Sequence, residues 1–222
     1  MTERDIMNEE LFRYVPAELS ELFSRSVYSY KIVRDLRDYL THLKPGGDCE
    51  EVEQGVWISR SAKVASTAII YPPAIICEGA EIRHCAYIRG SVYIGRGAVA
   101  GNSTELKNVV LLDGAKAPHF NYVGDSVLGK GAHMGAGAIT SNLKSTGGEV
   151  IIHAVEDIRT GTRKLGAMIG DGAEIGCGTV LNPGTVIGRE SIVYPLLSVR
   201  GTVAPYSIMK DKDTVVRRRD RI

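Results

Sequence analysis

The chain has 222 residues, 44% of them hydrophobic, with 27 Lys and Arg against 26 Asp and Glu. That apolar content suffices to bury a full core, and that charge balance excludes a bulk electrostatic binder of nucleic acid or membrane surface. Four cysteines without CxxC spacing (Cys49, Cys77, Cys85, Cys177) and the lack of a secretory or membrane-spanning stretch lead to the expectation of a cytoplasmic protein with reduced thiols.

Residues 1–50 read as helical. Pro16 stands near the start of a short helix reaching Phe23, and Ile32, Leu36, Tyr39, Leu40 and Leu43 form one apolar face of a second helix, stopped by Pro45, Gly46 and Gly47. An apolar face needs a partner. The segment is expected to cap the open first coil of the domain that follows, near Trp57.

From 56 to 209 an aliphatic or small residue recurs about every six positions: Ile58, Val64, Ile70, Ile76, Ile82, Ile88, Ile94, Ala100, Leu106, Leu111, Ala117, Val123, Leu128 and Met134, then Ile169, Ile175, Leu181, Ile187, Val193 and Val199. This period fits neither an amphipathic helix nor a simple strand, so the chain turns a corner after every short strand and builds an all-β solenoid. Two rungs are one residue short, Leu106 to Val110 and Val123 to Val127. Both fall on the third side of successive coils, which fixes three rungs per coil and stacks Ile58, Ile76, Ile94, Leu111 and Leu128 along one interior side. Residues 140–167 interrupt the repeat with polar, Gly-rich sequence and are expected to protrude from the column as a loop or hairpin. Residues 210–222, ending in the run Arg217–Arg221, read as a solvated basic tail.

The coil count also groups the polar residues. Asn102 and His119 share a place on the second side, Glu105 and Tyr122 stack at the following corner, and Arg89 and Lys107 stack just beyond it. Adjacent coils lie about 4.8 Å apart, and two cations that close repel unless something negative joins them. Glu105 is expected to neutralise part of this charge and a bound phosphate the rest.

The run GNSTELKNVVLLDGAKAPHFNYVGDSVLGKGAHMGAGAITSN (Gly101 to Asn142) resembles the acetyltransferase domain of the bifunctional N-acetylglucosamine-1-phosphate uridyltransferase and glucosamine-1-phosphate acetyltransferase family, one of the hexapeptide-repeat acyltransferases. The resemblance implies a left-handed parallel β-helix, a homotrimer with sites between subunits, and acetyl-CoA as co-substrate. It implies His119 as general base and Asn142 beside the acceptor amine, and puts Arg89, Lys107 and Tyr122 on sugar-phosphate positions. Ala136, Cys177 and Pro195 fall on positions that face the coenzyme. The run VAPYSI (Val203 to Ile208) looks like the family's usual exit from the last coil. Two departures lie on the acceptor side: Leu143 stands where the family has Tyr, and His133 where it has an Asn that contacts the acceptor. The family's lysine for the acceptor phosphate has three candidate counterparts in the loop after Asn142, namely Lys144, Arg163 and Lys164. The uridyltransferase half has no counterpart in this sequence, so the chain is not expected to make a nucleotide sugar unaided.

The chemistry needed is deprotonation of an amine and attack on a thioester. An imidazole, with an ordinary pKa of about 6.5, suits the first step, and backbone N–H groups of Gly135, Ala136 and Gly137 are expected to hold the oxyanion of the second. The expected acceptor is an amino sugar phosphate or a nucleotide-linked amino sugar. Two other functions fit a β-solenoid. A zinc site of the gamma-class carbonic anhydrase kind uses two histidines five apart, whereas His119 and His133 are 14 apart. A non-catalytic scaffold or nucleotide-sugar binder would not need His119 and Asn142. His84 and His153 read as structural or solvent-exposed.

Overall fold

The structure, a computed structural model, describes residues 1–218. Residues 56–209 form a parallel β-helix with three faces. Val56–Ser59, Ala74–Ile76 and Val92–Ile94 begin the first face, which continues through residues 109–111 and 126–128, then Ala167–Ile169, Thr185–Ile187 and Thr202–Val203. The second face runs from Lys63–Val64 through Val99–Asn102, Lys116–His119 and His133–Met134 to Ser207–Met209. The third runs from Ile69–Ile70 through residues 105–107 and 122–124 to Ile139–Thr140, Val180–Leu181 and Ser198–Val199.

The expected interior column is present. Ile58, Ile76, Ile94, Leu111 and Leu128 are successive partners in register, and the last four are fully buried. The short rungs have a physical cause. Glu105–Leu111 and Tyr122–Leu128 are continuous strands that carry the third face into the first, bending at Asn108 (φ 56°) and Asp125 (φ 47°) instead of spending an extra residue on the corner. The repeat also runs further than its aliphatic residues indicate. Thr140 fills an interior place, where its hydroxyl accepts from Gly124 N–H (2.9 Å) and from Ser126 Oγ (3.1 Å).

The first face is apolar on both sides, as strands covered above and below must be. Ile75, Tyr93, Val110, Val127, Met168 and Val186 point outward from it and are all buried. The cover comes from two segments. The N-terminal residues form α1 (Asn8–Leu11), α2 (Ser20–Ser24) and α3 (Ser29–His42), and Ile32, Val33, Leu36 and Leu40 of α3 join the outward row of this face. Trp57 of the first coil packs against the same cluster, as expected, but the N-terminal segment lies along the flank rather than over the end of the column. At that end Cys49–Glu53 pairs antiparallel with Val56–Ser59, and Val64 in the first coil remains 39% exposed.

The insertion supplies the rest of the cover. It leaves at the third-to-first corner, forms a hairpin of Ile151–Ile152 with Ile158–Arg159, and buries Val150, Ile152 and Leu165 with Met168 and Val186. The insertion is thus a hairpin, one of the two expected forms, but it is folded back on the column and does not protrude, because its apolar residues meet the outward row of the later rungs. The chain after the last coil also turns back: Val215–Arg217, exposed, pairs antiparallel with Ser207–Met209. The end of the basic run, residues 219–222, lies outside the described residues. Among the described residues no helix is long and apolar enough to cross a membrane.

Candidate active site

The corner between the second and third faces carries one outward column: His84, Asn102, His119, Ala136, Cys177 and Pro195. Asn102 and His119 are partners in register. The ladder continues as Gly137 N–H donates to His119 O (3.0 Å), Gly178 N–H to Ala136 O (2.8 Å) and Leu196 N–H to Cys177 O (2.9 Å). The residue after each column member takes positive φ (Cys85, Ser103, Phe120, Gly137, Gly178, Leu196), so the same turn repeats and keeps the column straight. Close approach requires glycine beside it: a Cβ on Gly101 would lie 1.6 Å from Pro118 O. With one coil per step, Ala136 and Cys177 stand about 5 and 10 Å below His119.

His119 is exposed, and its ring makes no hydrogen bond to the described residues. Its backbone is fixed by a residue that the sequence reading missed. Asn121, 2% exposed, accepts from His119 N–H (3.0 Å) and donates to Gly135 O (2.8 Å) and Ala138 O (2.9 Å), tying the His119 turn to the turn below it. The oxyanion expectation narrows here. Gly135 N–H is spent on Ile175 O (2.7 Å) and Gly137 N–H on His119 O, which leaves Ala136 as the one of the three with no backbone partner among the described residues.

The corner between the third and first faces is built around Asp125, only 3% exposed and likewise unforeseen. Lys107 Nζ reaches its two oxygens at 2.8 and 3.1 Å, Asn108 Nδ2 donates at 2.8 Å and Asn142 Nδ2 at 2.5 Å. Asn142 Nδ2 also lies 3.2 Å from Tyr122 Oη, which accepts and so keeps its own proton for another partner. Burial, then the charge of Asp125, pushes the Tyr122 phenol up. Both side chains fold over Gly124, where a Cβ would meet Tyr122 Oη at 2.6 Å. Glu105 and Tyr122 pair in register as expected. The expected surplus of positive charge is absent. Arg89 pairs with Glu105 (2.6 Å) and Lys107 with Asp125, so each cation already has a carboxylate.

His133 lies apart from Tyr122 and Asn142. Its Nδ1 is 2.8 Å from Glu174 Oε2, and it lines a shallow groove of about 250 Å³ with Cys177, Tyr194 and Pro195. The groove therefore joins His133 to the residues assigned to the coenzyme. His84 and His153 are engaged locally, with Thr67 (2.7 Å) and Asp157 (2.9 Å). Of the candidate loop cations, Lys144 donates to Glu149 O (2.9 Å) and Arg163 to Gly147 O (2.7 Å), while Lys164 is exposed. A larger cavity of about 590 Å³ lies far along the first face, between the N-terminal segment and the early coils. There Glu18 meets Arg96 (3.1 Å), and burial pushes the Cys77 thiol up to about 12.

No family model matches the chain. Among curated proteins it is 32% identical over 131 residues to the "Bifunctional protein GlmU" of Methanococcus maripaludis, a match that covers 59% of this chain and 32% of that protein. It is 34% identical over 149 residues to a "Bifunctional sugar-1-phosphate nucleotidylyltransferase/acetyltransferase" of Sulfurisphaera tokodaii, covering 67% of this chain and 37% of that one. The chain resembles the bifunctional GlmU proteins. The GlmU-like match spans about a third of those relatives' length. Among solved structures, a hexapeptide transferase family protein from Anaplasma phagocytophilum matches over 73% of this chain and 78% of its own, with a TM-score of 0.42 and 15% identity.

Proposed function

We propose that the chain transfers an acyl group from acetyl-CoA to the amine of an amino sugar carrying a phosphate or a nucleotide. The observation that carries this reading is the straight column in which an unengaged imidazole, His119, stands directly above the small residues Ala136, Cys177 and Pro195. The relatives support it, since the one from Sulfurisphaera tokodaii is named as a sugar-1-phosphate nucleotidylyltransferase and acetyltransferase. The thioester lies beside Ala136, with the pantetheine arm against Cys177 and Pro195 along the groove. His119 takes the proton from the acceptor amine as nitrogen attacks the thioester carbon. The Ala136 N–H receives the developing oxyanion, and the C–S bond breaks as the imidazolium returns its proton to the departing thiolate. Tyr122 and Asn142, fixed by Asp125, orient the acceptor from the other edge of the third face, with Arg89, Glu105 and Lys107 around them.

The same reading includes a homotrimer whose neighbouring copies complete the groove. Phe120 (63% exposed), Tyr194 (42%) and Leu196 (82%) stand in or next to the column and supply an apolar surface for that contact. Sedimentation at micromolar concentration tests the trimer. Release of free coenzyme A from acetyl-CoA, screened across amino sugars, sugar phosphates and nucleotide-linked amino sugars, tests the activity. No acceptor-dependent thiol release from any of these classes overturns it.

A further inference from the structure

Above Tyr122 the third face carries two outward columns. Tyr122 pairs in register with Glu105, Glu105 with Tyr87 and Tyr87 with Ile69, so these four stack on successive coils. Beside them Tyr71, Arg89 and Lys107 follow Ile70, Ile88 and Leu106, which pair in register in the same way. With one coil per step, Tyr87 and Tyr71 stand about 10 and 14 Å above Tyr122.

Toward the first coil both columns change from charged to apolar. Ile69 and Tyr71 are more than half exposed, and Tyr87 is exposed beside them. The two rings form one unit. Tyr71 and Tyr87 meet edge to face, with centroids 6.0 Å apart and planes at 73°, and the Arg89 guanidinium lies 5.9 Å from the centre of the Tyr87 ring. Such a contact takes at most one face of Tyr71 and leaves the other to solvent. The interior column and the row covered by α3 are complete without either tyrosine, so packing of the fold does not account for them. A contiguous exposed aromatic patch marks a binding surface, and a flat ring face is what a nucleobase stacks on.

The order along the columns identifies the occupant. Tyr122 and Asn142 face the sugar in the reading above, and Lys107 and Arg89 come next. Arg89 spends one N–H on Glu105 (2.6 Å) and has others to offer a phosphate. A sugar with a single phosphate ends at these cations. A sugar linked through a diphosphate to a nucleoside continues in the same direction: its phosphates pass Lys107 and Arg89, and its base arrives at the tyrosines.

We infer that Tyr71 and Tyr87 form the platform on which the base of a nucleotide-linked acceptor stacks, which makes the acceptor a nucleoside diphosphate sugar and not a simple sugar phosphate. The inference rests on the acceptor edge proposed above. The coenzyme carries a base too, but in that reading it runs the opposite way, from Ala136 to Pro195.

Calorimetric titration of the full chain with uridine diphosphate, guanosine diphosphate, inorganic diphosphate, glucosamine 1-phosphate and acetyl-CoA is compared with Tyr71→Ala, Tyr71→Phe and Tyr87→Ala. Both side chains are exposed, so the variants keep the fold. Loss of a stacking ring weakens a nucleotide about tenfold. That loss is expected for both nucleoside diphosphates in Tyr71→Ala and Tyr87→Ala, with parent affinity in Tyr71→Phe and values within about twofold of the parent for the other three probes. Nucleoside diphosphates that bind no more tightly than inorganic diphosphate, or that lose nothing in Tyr71→Ala, overturn the inference. A matching loss for acetyl-CoA moves the platform to the coenzyme's adenine and overturns the assignment to the acceptor. Dissociation of a trimer by Tyr71→Ala, read by sedimentation, makes the patch a subunit contact and likewise overturns it. Failure of acyl transfer is a separate result. Release of coenzyme A with glucosamine 1-phosphate, without nucleotide binding, overturns the platform and leaves acyl transfer standing, whereas nucleotide binding that Tyr71→Ala abolishes, without transfer to any acceptor, supports the platform and overturns acyl transfer.

Discussion

The two corners that bound the third face are made differently. At the third-to-first corner Lys107, Asn108, Tyr122 and Asn142 are drawn into hydrogen bonds around one buried carboxylate, Asp125. At the second-to-third corner the outward column has His119 with an unbonded ring, followed by small residues along a shallow groove. A network satisfied within the protein holds its side chains in place before any ligand arrives, while an exposed imidazole beside an open groove is free to meet one. On the proposed function the first corner is the positioning edge and the second the reacting edge, and the strands of the third face set the distance between them.

The largest expected effect breaks the positioning edge. Asp125→Ala strands Lys107 and removes the acceptor of Asn108 and Asn142, and it should lower unfolding free energy by about 3 kcal/mol, the low end for a buried pair because Lys107 keeps some solvent. Urea denaturation measures it, and a loss under about 1 kcal/mol would mean that the network is not load-sharing. The next test splits the two cations. Lys107→Ala leaves the buried Asp125 short of its strongest partner and should cost roughly 1–3 kcal/mol. Arg89→Ala removes a surface pair with Glu105 and an exposed contact over the Tyr87 ring, and should leave the transition nearly where it was. Equal destabilisation by both would contradict the assignment of Lys107 to the interior network.

A smaller effect sharpens the reacting edge. Cys177 and Cys85 are exposed, whereas Cys77 is buried with its thiol pushed up to about 12. Iodoacetamide at pH 8 should therefore modify the first two and spare Cys77. Acetyl-CoA should slow labelling of Cys177 several-fold and leave Cys85 unchanged. Mass spectrometry of the labelled peptides reads both rates, and equal protection of Cys85 would place the coenzyme elsewhere.

Much of this was legible in the amino-acid sequence, for a reason specific to solenoids. The interior residue of each rung must be small or aliphatic, so its period exposes the coil count, and the co-phased short rungs at Leu106 and Val123 located the corner where Asn108 and Asp125 bend the chain. Relations along a column, such as Asn102 with His119 and Glu105 with Tyr122, follow from that count. Relations across the outer surface do not. Ile75, Tyr93, Val110 and Val127 look like ordinary members of apolar strands, and nothing in their spacing says that α3 covers them. The doubly apolar runs AII, VYI and TVI did carry the hint that the first face is buried on both sides. Asp125 escaped notice because its neighbours come from other coils and from beyond Thr140, where the repeat turns polar. Asn121 has a weaker trace, an amide next to a turn residue of positive φ, and only the coil below reveals its partners.

On the proposed function, His119 removes a proton from an acceptor that the Asp125 network orients from the far edge of the third face. The most direct measurement pairs two readouts on His119→Asn: acceptor-dependent release of coenzyme A from acetyl-CoA, and the affinity for acetyl-CoA. The side chain is exposed and its ring unbonded, so coenzyme affinity should stay within about twofold while turnover falls by roughly 10² to 10⁴. Turnover at the parent rate, with an active acceptor in hand, would contradict the account and move the base to another residue.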